Sequence, residues 1–278
     1  KDEGNTWSKP VMLLRGGDRL VGGPHQAPTP VLFHAGRVWT AVEWGTWAQN
    51  VHKAGILSAD LSADLMDPAS WTLSPYVAHD PAWPGAVKGG HPQLLEGNVL
   101  VLPDGRVGNL LRYHTKDASP PYGVAVLLGL DADKPGDAQQ FLTAVALEGN
   151  YTKFYVQWDE ETRHYCALMN RPDDACMYRR DILSLAVSTD AVRWKTVADL
   201  INYRDNGWPE GPGKTGFQYP SFVLSGGDLL AAVRTALHGA YNFHNANAIT
   251  FHRIADVRRE VRRAGLTTQQ GGTLHAPK

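Results

Sequence analysis

The chain has 278 residues, of which 43% are hydrophobic and 20% charged; this excludes a disordered chain and a long coiled coil and leaves enough apolar material for one large domain or two small ones. With 27 Lys and Arg against 28 Asp and Glu the net charge is -1, so no bulk field draws the chain to nucleic acid or an acidic membrane. The 28 glycines, 18 prolines and 9 tryptophans point to a turn-rich all-β protein.

The first residues, KDEGNTW from Lys1 to Trp7, form a turn motif. Its Asp can cap backbone amides, its Gly can take a conformation other residues resist, and its Trp is expected to pack between structural units. SKPVMLLR, from Ser8 to Arg15, reads as an outer strand. Four hairpins then follow: PVLFHAGRVWTAVE from Pro30, NVLVLPDGRVGNLLR from Asn98, YVQWDEETRHYCALM from Tyr155 and PSFVLSGGDLLAAVR from Pro220. Aligning Arg37, Arg106, Arg163 and Asp228 at the turns places Glu43, Arg112, Met169 and Arg234 at one shared position on the second strands. Behind the hairpins come paired runs, AGILSAD with SWTLSPYV, GVAVLLGLD with QQFLTAVAL, and SLAVSTD with RWKTVADLI; the last hairpin is followed only by AITFHRI and a basic tail. Weaker copies of the turn motif, SADLMDPASW and STDAVRW, fall between third and fourth strands. Four antiparallel strands per repeat is the arithmetic of a β-propeller blade. The N-terminal strand either completes the last blade of a four-bladed propeller or belongs to a larger one; Lys1 falls inside a motif, which favours the second and leads us to expect one or more upstream blades. Residues 1–258 read as the propeller and 259–278 as a tail.

No apolar run reaches the roughly 18 residues of a membrane span. Cys166 and Cys176 lack the spacing of a zinc site and read as two buried thiols or one local bridge. No metal signature or phosphate loop is present, and no cofactor is expected.

The turn box, together with HQAPTPVLFHAGRVWTAVE, LLEGNVLVLPDGRVGNLLR and GFQYPSFVLSGGDLLAAVRTALHGAYNFHNANAITFHRI, resembles the sialidase-like Asp-box (BNR-repeat) propeller superfamily over most of residues 1 to 258. The resemblance implies a six-bladed propeller, of which this chain would supply the later blades, and a secreted or periplasmic carbohydrate-active protein.

In such a blade the starts of first strands and the ends of second strands share one rim, where the central channel opens. That rule collects Glu43, Arg112 and Arg234 from second strands, and Glu96 with Gln218, then Gly97 with Phe154 and Tyr219, from first strands. His25, His114, His244 and Asn247 come from neighbouring loops, and the rim residues Trp44 and Trp47 are candidates to stack on sugar faces or to pack between blades. Arg37, Arg106 and Arg163 fall on the far rim as solvated charges. Two arginines at one mouth suit an anionic ligand, because guanidinium holds carboxylate through parallel hydrogen bonds. The resemblance implies that Arg112 and Arg234 are two of three arginines clamping a sugar carboxylate, the third not being identified, and that Tyr219 is the nucleophile. A tyrosine needs a base or a positive field to act at neutral pH, and Glu96 or Glu43 could supply the base. Pro220 after the tyrosine, and Arg234 where an acidic residue is usual, depart from the family pattern.

The expected function is a sialidase-like glycoside hydrolase removing terminal acidic sugars from glycans. Two alternatives share the arginines: a lyase on uronate-containing glycans using a Tyr/His pair, and a non-catalytic glycan-binding propeller.

Overall fold

A computed structural model describes residues 2–115, 117–172, 179–205, 210–211 and 213–269, except the side chains of 265–269. Cys176 lies outside these residues; Cys166 is a buried free thiol whose pKa burial pushes up to about 12. The first sheet holds Gly23–His25 (β1), Val31–His34 (β2), Arg37–Thr46 (β3), Val51–Asp60 (β4) and Trp71–Leu73 (β5). The second holds Gln93–Val101 (β6), Val107–His114 (β7), Val124–Leu130 (β8) and Gln140–Ala146 (β9). The third holds Tyr155–Asp159 (β10), His164–Asn170 (β11), Ile182–Ser188 (β12) and Lys195–Asn202 (β13), and the fourth Gly216–Ser225 (β14), Asp228–Ala236 (β15) and Ala248–Ile254 (β16). Each is an antiparallel meander and forms one blade of an all-β propeller.

Alternation along the second strands builds the core. In β7, Leu110 packs toward the third sheet and Leu111 toward the first; in β11, Ala167 and Met169 face the second sheet while Cys166 and Leu168 face the fourth. The two middle sheets are thus buried on both faces, so their strands read as nearly continuous apolar runs. Among the described residues no hydrophobic cluster joins the fourth sheet to the first. There Val223, Ile249 (74% exposed) and Phe251 (68%) on one side, and Val31 and Phe33 on the other, lie open, with a cavity at the seam.

Two N-terminal expectations are corrected. Asp2 does fold the turn, accepting from Thr6 Oγ1 at 2.5 Å with Gly4 at φ 83°, but Trp7 is 88% exposed and packs between no blades. Residues 8–15 form no strand and so do not complete the last blade. The weaker copies behave as read: Asp67 and Asp190 accept backbone amides in turns between third and fourth strands, and Trp194 packs on the core between the second and third sheets.

The basic segment after β16 is a helix, Val257–Gln269 (α1), in place of a fourth strand. Val257, Val261 and Ala264, at helical spacing, enter the core between the third and fourth sheets. Arg258 pairs with the buried Asp159 at 2.8 Å and with Glu161, and Arg262 also reaches Glu161. Among the described residues no helix is long and apolar enough to cross a membrane.

Candidate active site

The inner strands of the second and fourth sheets carry matching bulges. Leu95 pairs with Arg112 and Asn98 with Leu110, so Glu96 and Gly97 stand opposite the single Leu111; Gln218 pairs with Arg234 and Ser221 with Ala232, so Tyr219 and Pro220 stand opposite the single Val233. Glu96 (φ 47°) and Tyr219 (φ 48°) both take the left-handed conformation, which costs a side-chain-bearing residue about 1 kcal/mol or more and marks bulges beside functional sites. Glu96 is therefore the counterpart of Tyr219, not of Gln218 as counting from the turns suggests. Leu102 N still donates to the Arg106 carbonyl, so the turn after β6 takes residues 103–105, one more than 226–227 after β14, and the count slips by one. In the first sheet the inner strand is interrupted at the same place, between β1 and β2, by residues 26–30.

The bulges aim their side chains at one another. The Tyr219 hydroxyl donates to Glu96 Oε1 at 2.9 Å, and Arg112 Nη1 donates to Glu96 Oε2 at 2.8 Å. Glu96 and Arg112 are both buried. Burial alone would raise the Glu96 carboxyl, but Arg112, the Tyr219 hydroxyl and Arg180 hold it below the usual range. Burial and then the Glu96 charge raise the Tyr219 phenol, so it stays protonated until the proton is taken from it. Lys153, 1% exposed, donates its Nζ to the Pro220 carbonyl at 2.6 Å and fixes the Tyr219 bulge from below; burial lowers its pKa to about 7.

A residue absent from the sequence reading completes the group. Arg180 lies in the connection from β11 to β12, its carbonyl accepting from Phe217 N at 2.6 Å, and its Nη1 donates to Gln218 Oε1 at 2.6 Å. Arg234 Nη2 reaches the same oxygen at 3.4 Å and the His244 carbonyl at 2.7 Å, with the guanidinium 5.0 Å from the Tyr219 ring centre. Burial, followed by Arg112, lowers Arg180 to about 10. The Nε atoms of Arg112, Arg180 and Arg234 are all buried without a hydrogen-bond partner. The third blade carries Met169 at the strand-end position, so its arginine enters from the loop beyond; the doublet Arg179–Arg180 just before ILSLAVS was the available signal.

Glu43, Glu96, Tyr219 and Arg234 line the seam cavity of about 540 Å³ with His25 and Trp47. Glu43, 4% exposed, accepts the Glu96 backbone amide on Oε2 at 3.2 Å and makes no bond to Tyr219. Of the two candidate bases only Glu96 therefore accepts a hydrogen bond from the tyrosine. Burial and the Glu96 charge raise Glu43 to about 8, which keeps it protonated at neutral pH. Trp47 stands edge-on to His114, whose Nδ1 lies 3.4 Å from Arg112 Nη2, while Trp44 packs against Tyr76. The His244 imidazole is depressed by burial and by Arg180 and Arg234. Asn247 is held within its own loop, its Oδ1 accepting from Leu237 N at 3.2 Å and its Nδ2 donating to the Leu237 carbonyl at 2.7 Å. No group of three or more His, Cys, Asp or Glu side chains able to hold a metal occurs among the described residues.

No protein-family model and no curated protein matches the chain. Solved structures do match in fold. An N-acetylgalactosamine deacetylase from F. plautii aligns at 11% identity and TM-score 0.54 over 98% of this chain and 81% of its own. The NanB sialidase of Streptococcus pneumoniae aligns at 14% and 0.52 over 85% of this chain, and the intramolecular trans-sialidase of Ruminococcus gnavus at 14% and 0.50 over 92%. The chain spans only 32% and 49% of the length of those two proteins. At these identities the match establishes the propeller fold.

Proposed function

We propose that the chain carries the catalytic site of a sialidase-like glycoside hydrolase acting on terminal, carboxylate-bearing sugars of glycans. The observation that carries this reading is the Tyr219–Glu96–Arg112 chain of hydrogen bonds flanked by Arg180 and Arg234. Three arginines against one ionised carboxylate, Glu96, leave about two positive charges at the site, a balance that suits an incoming carboxylate. Arg180 takes the place of the third arginine that the sequence left open.

In this reading the phenol oxygen of Tyr219 attacks the anomeric carbon as its proton passes to Glu96, and the glycosidic oxygen departs with a proton from a separate donor. Water then attacks the glycosyl–tyrosine bond and the tyrosine recovers its proton from Glu96. The Tyr–Glu pair delivers the phenol without a free phenolate in the resting state, in keeping with the raised Tyr219 pKa. Sialidases among proteins of this fold support the assignment, and a secreted or periplasmic setting goes with it. The tyrosine bonds a glutamate instead of a histidine, which favours hydrolysis over the Tyr/His lyase alternative.

The test is turnover of a fluorogenic N-acetylneuraminide by Tyr219→Phe, with the products weighed. The variant is expected to lose at least about a thousandfold in kcat, and the wild-type products to exceed the substrate by one water. Full turnover by the variant would remove the nucleophile; an unsaturated uronate product from uronate-containing glycans would move the protein to the lyases.

A further inference from the structure

We propose that Glu43 is the proton donor to the departing glycosidic oxygen, a role distinct from the base role its sequence position suggests. The inference rests on the hydrolase reading above and deepens it.

The geometry supplies the first argument. A donor must reach the cavity that holds the sugar, carry a removable proton, and be free of the groups that activate the nucleophile. Glu96 fails the last condition, since its two oxygens are taken by Tyr219 and Arg112. Tyr219 is the nucleophile, and the arginines hold their protons. Among the described residues lining the cavity this leaves Glu43 and His25.

The hydrogen bond from the Glu96 amide fixes which oxygen of a neutral Glu43 is left to carry the proton. The Glu96 amide can only donate, so Glu43 Oε2 must accept, and the proton of a neutral Glu43 sits on Oε1. The same contact ties the donor to the bulge that carries Glu96, fixing one carboxyl against the other. Burial and the neighbouring negative charge make Glu43 the protonated member of the pair, while Arg112 makes Glu96 the ionised one. Two carboxyls whose surroundings push their proton affinities apart are the arrangement that separates acid from base in glycosidases. As the C–O bond breaks, the Oε1 proton passes to the leaving oxygen and Glu43 becomes a carboxylate. In the second step the attacking water gives that carboxylate a proton, so the cycle closes with one water consumed.

The experiment compares two N-acetylneuraminides differing only in leaving group, a 4-methylumbelliferyl and a methyl glycoside, with the wild type, Glu43→Gln, His25→Asn and Tyr219→Phe, each verified as folded by its thermal melt. An umbelliferone anion departs unaided, whereas methoxide needs a proton. Glu43→Gln is therefore expected to lose about 10²- to 10⁴-fold in kcat on the methyl glycoside but under about tenfold on the aryl one. It should also lose the fall of wild-type kcat/KM above about pH 8. Equal losses on both substrates, no loss on either, or the selective loss appearing in His25→Asn instead would overturn the assignment. Tyr219→Phe should lose both activities alike. If it keeps them, or if the wild type turns over neither probe, the hydrolase reading itself fails, a result separable from the Glu43 pattern.

Discussion

Replacing Glu43 by Gln should stabilise the protein, by an amount that grows with pH. The folded state raises this carboxyl from 4.5 to about 8, chiefly through burial and then through the Glu96 charge. A raised carboxyl means that folding takes up a proton. Its contribution to stability is fully present below pH 4.5, declines as pH rises, and is lost once pH passes about 8. Between 4.5 and pH 7 lie about 2.5 pH units, each worth a little over 1 kcal/mol, so wild-type folding at pH 7 bears a cost on the order of 3 kcal/mol that an uncharged glutamine does not. Glutamine can keep the contact, its Oε1 accepting the Glu96 amide. For a chain of this size each kcal/mol moves Tm by about 2–4 °C, so Glu43→Gln should melt roughly 6–12 °C above the wild type at pH 7 and near it at pH 4.5. Circular-dichroism melts of both proteins at intervals from pH 4.5 to 8.5 would measure the difference. A gap that stays constant across that range would show that Glu43 is ionised when folded, and the argument for a neutral carboxyl at the site would fall with it.

Two further substitutions probe the groups around that carboxyl. Arg180→Met should weaken binding of free N-acetylneuraminic acid by about 10- to 100-fold in isothermal calorimetry, the value of one charge-assisted contact, with little change in the circular-dichroism spectrum; unchanged affinity would take Arg180 out of the anion site. Gly97→Ala would drive a methyl group into the Asn109 amide oxygen beside the Glu96 bulge, and should cost about 1–3 kcal/mol in urea unfolding as well as displacing Glu96; unaltered stability would mean that the bulge has room to shift.

The blades could be read from the sequence because their signals are local. AITFHRI became β16 residue for residue, and the apolar runs of β7, β8, β11 and β12 follow from burial on both sheet faces. Glu43, Arg112 and Arg234 could be placed on one rim for the same reason, since each lies near the end of a second strand at a fixed distance from a turn. What escaped was set by contacts that a count along the chain does not contain. The bulges at Glu96 and Tyr219 shift the inner-strand register, and Arg180 is brought in by a backbone bond to Phe217 from across a blade boundary. Trp7 fits a packing motif yet stays 88% exposed, and the basic run after β16 is helical, with Val257, Val261 and Ala264 in the core between the third and fourth sheets. The protonation of Glu43 depends on the same long-range placement. A glutamate in the second half of β3 carries no sign in the sequence that it will be buried against the backbone of a second, ionised glutamate 53 positions on. Only when the two blades pack does a pair of like residues divide into one that keeps its proton and one that does not, and in the proposed mechanism that division separates the group that accepts a proton from the group that gives one.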